Sequence, residues 1–136
     1  MKKLLSFIGL LAVIISNPVF AAINAPSSLI GSTGTKYGTY PNYTSADINF
    51  SWNDNSNNET SFYAEYSVTN DGTYTTWNSL GSVPANTTGG TLNQPWAANG
   101  QCKTWRKYRI KAVNATESSS WTYSNQVFLG GTVNCM

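Results

Sequence analysis

Short segments in which apolar and polar residues alternate recur along the chain, and each predicts a β-strand with one buried face. The segment 47–52 alternates cleanly, so Ile48, Phe50 and Trp52 share one side. The segments 62–68 and 103–114 repeat the pattern. Their predicted inward residues are Phe62, Ala64, Tyr66, Val68, Tyr108, Ile110 and Ala112.

Four weaker segments complete a predicted set of seven strands. They cover residues 26–31, 74–83, 87–92 and 122–129. The segments 32–43 and 93–101 are predicted as loops, and Asn70-Asp71-Gly72 is a strong hairpin signal. The turn before the last strand is predicted at residues 117–120. Seven short strands separated by turn signals predict an all-β, antiparallel, seven-stranded β-sandwich.

The N-terminal 21 residues have the order of parts found in a secretory signal peptide. Lys2 and Lys3 precede an apolar run over residues 4–15, and small residues lead to a cleavage position after Ala21. The run is shorter than the roughly 20 residues that span a bilayer. We therefore expect export by a bacterial cell, no membrane span, and a mature single domain over residues 22–136 that is secreted, periplasmic or at the cell surface.

Charge and composition exclude several function classes. Without Lys2 and Lys3, six basic residues balance six acidic ones, which argues against a nucleic-acid partner. The sequence has no histidine, and therefore lacks the commonest general base and zinc ligand. We expect no enzymatic activity, no cofactor and no metal. A small hydrolase with two converging carboxylates remains formally open, although Asp47, Asp54, Glu59 and Glu65 are too scattered to nominate a pair.

Three segments resemble bacterial fibronectin type III domains, a family of immunoglobulin-like β-sandwiches. Residues 48–56 with 59–62 resemble the family's second and third strands, residues 108–115 its sixth, and residues 123–125 the start of its seventh. The resemblance covers roughly residues 26–129. It implies the sandwich fold but little about function, since this fold serves spacing, adhesion and recognition alike. The family's inward tyrosine falls on Arg106, so either a bulge turns Trp105 inward or the tyrosine corner is absent.

Cys102 and Cys135 are the two cysteines, and an even count in an exported chain suggests a disulfide. In a hairpin of strands six and seven the two positions are equidistant from the predicted 117–120 turn. We therefore expect an intramolecular bond between them. Free thiols, or intermolecular pairing through Cys135, are the alternatives.

The resemblance places several loops at one pole of the sandwich, and both long loops of this chain lie there. The aromatic residues that they and the nearby hairpin bring to the pole are Tyr37, Tyr40, Tyr43, Tyr74 and Trp96. Exposed rings in one patch suit a sugar or a protein partner. The alternative is that the two loops pack on each other as a small satellite core.

A second candidate site is a basic strip on the sixth strand. Alternation puts Lys107, Arg109 and Lys111 on one solvent face, with Tyr63 and Glu65 outward on the neighbouring strand. An acidic glycan or a phospholipid headgroup would suit this strip. The alternative is a solvated sheet face whose lysines guard an edge.

We expect a non-catalytic binding or adhesion module for a protein or carbohydrate at the cell envelope or outside the cell. The competing class is a structural subunit of a surface assembly or appendage.

The polar run 53–59 resembles a calcium loop but lacks its glycine and distant glutamate, so we interpret it as a turn in which Asx side chains cap the backbone.

Overall fold

The computed structural model describes residues 21–39, 42–69, 73–95 and 105–129, and all its regular elements are β-strands. The strands are β1 (Ser27–Thr39), β2 (Asn42–Asn53), β3 (Ser61–Thr69), β4 (Asn78–Pro84), β5 (Gly89–Pro95), β6 (Trp105–Val113) and β7 (Thr122–Phe128). Within these ranges no helix is long and apolar enough to cross a membrane.

The seven strands form two antiparallel sheets. One sheet has three strands in the order β1-β2-β5, and the other has four in the order β4-β3-β6-β7. The all-β class and the number of strands agree with the sequence prediction. The inward side chains of both sheets build one shared core.

The structure corrects the prediction that residues 32–43 are a loop. β1 continues to Thr39 and pairs with β2 from Thr39↔Asn42 down to Ser27↔Asn53. The pairing shifts register three times, for example between Thr33 and Lys36. These irregularities hide the period-2 alternation, so a Gly- and Thr-rich strand looks like a loop in the sequence.

The core confirms most of the inward positions predicted on the best-patterned strands, but Tyr66 and Val68 at the end of β3 are only partly buried. Ile48, Phe62 and Tyr108 are fully buried, and Phe50 and Trp52 nearly so. The ring of Phe50 meets that of Tyr108 edge-on at 5.1 Å, and Trp52 meets Phe62 in the same way at 5.2 Å. These pairs join β2 of one sheet to β6 and β3 of the other.

The start of β6 departs from the expected inward aromatic residue. Pairing between β3 and β6 runs without a shift from Thr69↔Trp105 to Ser61↔Val113. Trp105 therefore stays outward and 42% exposed, whereas Arg106 points inward and is 2% exposed. An arginine occupies the position at which the fibronectin-like tyrosine was expected.

An asparagine joins the two sheets along one side of the sandwich. A bulge in β7 lets the Ser124 hydroxyl accept the Tyr108 N–H at 2.9 Å, where a strand hydrogen bond is missing. The next side chain, Asn125, accepts the Gly31 N–H at 2.9 Å and donates to the Gly31 carbonyl at 3.1 Å. Its amide thus substitutes for one peptide group of a neighbouring strand. Space at Gly31 is tight, because an added Cβ would lie 3.2 Å from the Val127 side chain, which would have to shift.

The polar loop after β2 uses its side chains to bind backbone. The Asp54 carboxylate accepts the Ser56 N–H at 3.0 Å, and Asn55 donates to the Ala25 carbonyl at 2.9 Å. Glu59 is buried, and its Oε1 accepts the Asn86 N–H at 2.9 Å, which ties this loop to the β4–β5 turn. The loop has the capping role predicted for it.

Candidate functional site

The basic strip lies on the outward face of the four-stranded sheet. β6 alternates strictly, so the buried residues Arg106, Tyr108 and Ile110 leave Lys107, Arg109 and Lys111 on the opposite side. Register pairing sets Glu65 beside Arg109 and Tyr63 beside Lys111. The three cations are thus held in a row on a central strand.

Arg109 lies at the centre of the row and contacts Glu65 and two tryptophan rings. Its Nε and Nη2 both donate to Oε2 of Glu65, at 2.8 and 2.5 Å. Its guanidinium carbon lies 4.2 Å from the ring centroid of Trp77 and 4.1 Å from that of Trp121. Guanidinium groups stack well on indole faces, and each such contact contributes about 0.5–2 kcal/mol depending on burial. Arg109 therefore organises the surrounding rings.

The two lysines extend this stacking in both directions along β6. The Lys107 Nζ lies 5.8 Å from the Tyr74 ring and 5.7 Å from the Tyr123 ring. The Lys111 Nζ lies 4.8 Å from the Trp121 ring and bonds the Ser118 hydroxyl at 3.4 Å. Neither amine has a carboxylate partner among the described residues. Both lysines are available to an anionic ligand.

Further rings continue the surface towards β7 and one end of the sheet. Trp105 and Phe128 pack at 5.0 Å, and Trp77 meets Tyr123 at 5.6 Å. Trp105, Phe128 and Tyr123 are 42%, 46% and 50% exposed. We call the whole surface the cation–aromatic face. It consists of Tyr63, Glu65, Tyr74, Trp77, Trp105, Lys107, Arg109, Lys111, Trp121, Tyr123 and Phe128.

The face concentrates positive charge on a nearly neutral domain. It carries three cations and one carboxylate, a local charge of +2. Among the described residues the remaining basic side chains are Arg106, which is buried, and Lys36, which lies on β1 of the other sheet. A flat, positive, aromatic surface suits a ligand with negative groups and apolar or ring surfaces.

The described members of the predicted aromatic pole lie on two parts of the sandwich, and the patch itself stays a prediction. Tyr37 and Tyr43 belong to the β1–β2 hairpin, where Tyr37 bonds Asp47 and Tyr43 lies 5.4 Å from the Lys36 amine. Tyr74 instead lies against Lys107 on the four-stranded sheet. Tyr40 and Trp96 lie outside the described residues.

The Tyr37 hydroxyl donates to Oδ2 of Asp47 at 2.7 Å, and Asn93 donates to Oδ1 of the same carboxylate at 2.9 Å. The hydrogen bond from Asn93, and to a smaller extent the one from Tyr37, holds the pKa of Asp47 below its ordinary value. The bond to Asp47 raises the pKa of Tyr37. These two hydrogen bonds link β1 and β2 of the hairpin to β5.

The predicted disulfide between Cys102 and Cys135 lies outside the described residues and stays a prediction.

Sequence reasoning missed Trp77 and Trp121 as site residues. Trp121 stands two positions before Tyr123, so the alternation of β7 already placed both on one face. For Trp77 the predicted strand over residues 74–83 was too long at its start, because β4 begins at Asn78 and Trp77 lies in the irregular segment 73–77. Segments of this kind have no period from which facing can be read.

The described carboxylates do not converge. Glu65 binds Arg109, Asp47 binds Tyr37 and Asn93, and Glu59 is buried under the β4–β5 turn. Within the described ranges no three His, Cys, Asp or Glu side chains are placed to hold a metal ion. Comparison with models of known protein families and with curated protein sequences finds no match.

Proposed function

We propose that the protein is a non-catalytic binding module exported by a bacterial cell, and that the cation–aromatic face is its ligand surface. The target is a component of the cell envelope or of the extracellular space. The supporting observation is the ordered stack of Trp77, Arg109 and Trp121, which holds two lysines without carboxylate partners beside half-exposed rings. A sheet face that contacts only solvent is not expected to carry so many large aromatic rings.

The position of the first core residue supports the proposed export. Cleavage after Ala21 leaves Ile23, which is 7% exposed, inside the mature domain. An oxidising compartment outside the cytoplasm also suits a bond between Cys102 and Cys135. The intact mass of unreduced protein recovered from the periplasm or medium tests both proposals. A mature mass two hydrogens below that of the reduced form is expected, and the full-length mass with two free thiols would contradict both.

The strand order supports the resemblance to fibronectin type III domains. In immunoglobulin constant domains the fourth strand joins the sheet of strands one, two and five. Here β4 pairs with β3, so the sheets divide three to four. We propose membership of the fibronectin-like branch of the sandwich folds on this ground.

A structural subunit that assembles by strand pairing is the weaker candidate. Such assembly requires a regular, open strand edge. The pairing of β4 with β3 shifts at Leu80, and Gly81 there has a φ of 134°. β4 ends at Pro84 and β5 at Pro95, and proline donates no N–H to a further strand.

Retention on isolated cell-envelope material tests the binding function. We compare the mature protein, a double variant Lys107→Gln with Tyr123→Ala, and the control Lys36→Gln. Lys36 is a suitable control because it too lies beside a tyrosine ring, but on the other sheet. The mature protein and the control should be retained and the double variant released, with similar unfolding temperatures. Equal retention of all three, or of none, would contradict the proposal.

A further inference from the structure

Two lysines that have no carboxylate partner within the described part of the chain lie on one line of the cation–aromatic face. Lys107 and Lys111 are four residues apart on the same strand, or about 13 Å at roughly 3.3 Å per residue. Arg109 between them has its charge balanced by Glu65. The face therefore presents two separate positive points along β6 and not one compact cluster.

Exposed ring surface lies between and beyond these two charges. Tyr123, which is 50% exposed, pairs with Arg109 and so lies in the row between the two lysines. Trp105 and Phe128 prolong the exposed ring surface beyond Lys107. Rings present flat apolar surfaces, which pack against the apolar faces of sugar rings.

The number of cations on the face decides which class of anionic ligand it suits. Anionic membrane surfaces attract each nearby Lys or Arg by about 1 kcal/mol, and recognition by charge uses clusters of four to eight. A net charge of +2 falls short of that, and it also falls short of the several phosphate contacts that hold nucleic acids. A linear ligand that adds ring packing to two charge contacts needs fewer cations.

We propose that the cation–aromatic face binds an anionic polysaccharide whose chain runs along β6, with carboxylates at Lys107 and Lys111 and sugar rings on Tyr123. This inference rests on the proposed binding function and specifies its ligand. Because about 13 Å separates the lysines, a single sugar acid reaches one of them only, and the contacts add up once an oligomer spans both.

Matched probes test the chemistry of the ligand. We use galacturonic acid oligomers of one to six sugars, and the same oligomers with every carboxylate methyl-esterified. Calorimetric titration should show no binding of the monosaccharide and binding that strengthens with length until both lysines are spanned. Esterification should abolish it, and raising the salt concentration should weaken it, because exposed charge contacts are screened.

Variants test the location. Lys107→Gln and Lys111→Gln should each weaken binding of the hexamer by about 1.4- to fivefold, since exposed charge contacts contribute about 0.2–1 kcal/mol. Tyr123→Ala should weaken it about two- to tenfold through lost ring packing. Lys36→Gln should leave the affinity unchanged.

The outcomes separate this inference from the binding function itself. Retention on cell-envelope material that depends on the face, without binding of any charged oligomer, would leave the module standing and overturn the polysaccharide ligand. Binding of esterified and charged oligomers alike, or binding of phosphatidylglycerol vesicles in preference to the oligomers, would overturn it too. A hexamer affinity that is unchanged in the double variant Lys107→Gln, Lys111→Gln would show that the face is not the site.

Discussion

At the scale of single residues, Arg106 is a charged side chain in the interior whose burial is unfavourable. It is 2% exposed, and its Nε and Nη1 have no hydrogen-bond partner among the residues that the structure describes. Burial lowers its pKa, and the nearby Tyr108 and Tyr66 phenols offset this only in part. A buried guanidinium with unsatisfied donors costs stability that an apolar residue of similar length would not cost.

We expect Arg106→Met to stabilise the domain by about 1–3 kcal/mol, because methionine fills the same space without donors to satisfy. Urea denaturation of the mature protein measures the difference. Arg106→Lys keeps the buried charge and should destabilise the domain. A clear loss of stability in the methionine variant would mean that Arg106 binds an acceptor that stabilises the fold.

Glu59 makes stability depend on pH. Burial raises its pKa, but the Asn86 N–H and other nearby donors favour the carboxylate and bring the pKa below the ordinary 4.5. A carboxyl whose folded pKa is depressed contributes stability that is full above the unfolded pKa and is lost as the pH falls through the folded one. The contribution should therefore be complete at pH 7 and decline below about pH 4.5.

Glu59→Gln should accordingly lower the unfolding free energy by about 1 kcal/mol at pH 7, because the glutamine oxygen still accepts the Asn86 N–H but a neutral acceptor contributes less than a charged one. Chemical denaturation at pH 7, 5 and 3 should show the gap between parent and variant closing towards pH 3. The partly buried Glu117→Gln in the turn before β7 serves as control for the general effect of removing a carboxylate. A gap that is constant with pH would contradict a role for the charge.

At the scale of elements, the sequence predicted strands where the period is regular and failed where it is broken. β2, β3 and β6 alternate over their central residues, and their facing followed directly from the pattern. The second half of β1 shifts register and faces solvent, so its residues carry no alternation. The segment that places Trp77 on the face has no period at all, and only tertiary packing positions it.

The Asn125 bridge between β7 and β1 illustrates an element contact that no periodicity indicates. Asn125→Asp keeps the oxygen that accepts the Gly31 N–H but loses the N–H that Asn125 donates to the Gly31 carbonyl. We expect a loss of about 0.5–1.5 kcal/mol, the net contribution of one hydrogen bond. Asn125→Ala should lose about twice that.

Amide hydrogen exchange gives a local test of this bridge. In Asn125→Ala the Gly31 amide should exchange faster than in the parent, whereas the Ile110 amide in the middle of β6 should change only by the global loss of stability. Unchanged exchange at Gly31 would show that the sheets stay joined there without Asn125.

At the scale of the whole molecule, positive charge and exposed aromatic rings are concentrated on the cation–aromatic face. Composition showed only that the predicted mature chain is neutral. The alternation of side chains along β6 already indicated the basic strip. What the sequence did not show is that Trp77 and Trp121 enclose Arg109 and turn the strip into an ordered surface. That outcome depends on which loop folds over which sheet, a matter of three-dimensional packing.

We predict a monomer, because features on both sides of the sandwich disfavour strand addition. On one side Asn125 bridges β7 and β1 at Gly31, and on the other a bulge interrupts β4 while β4 and β5 each end in a proline. Sedimentation velocity of the mature protein should give one species of monomer mass that does not change over a hundredfold range of concentration. Lys107→Gln, which reduces the charge of the exposed face without touching an edge, should also stay monomeric. Polymers that grow with concentration would favour the structural subunit over the binding module, because they would show that an edge or a pole accepts a second copy.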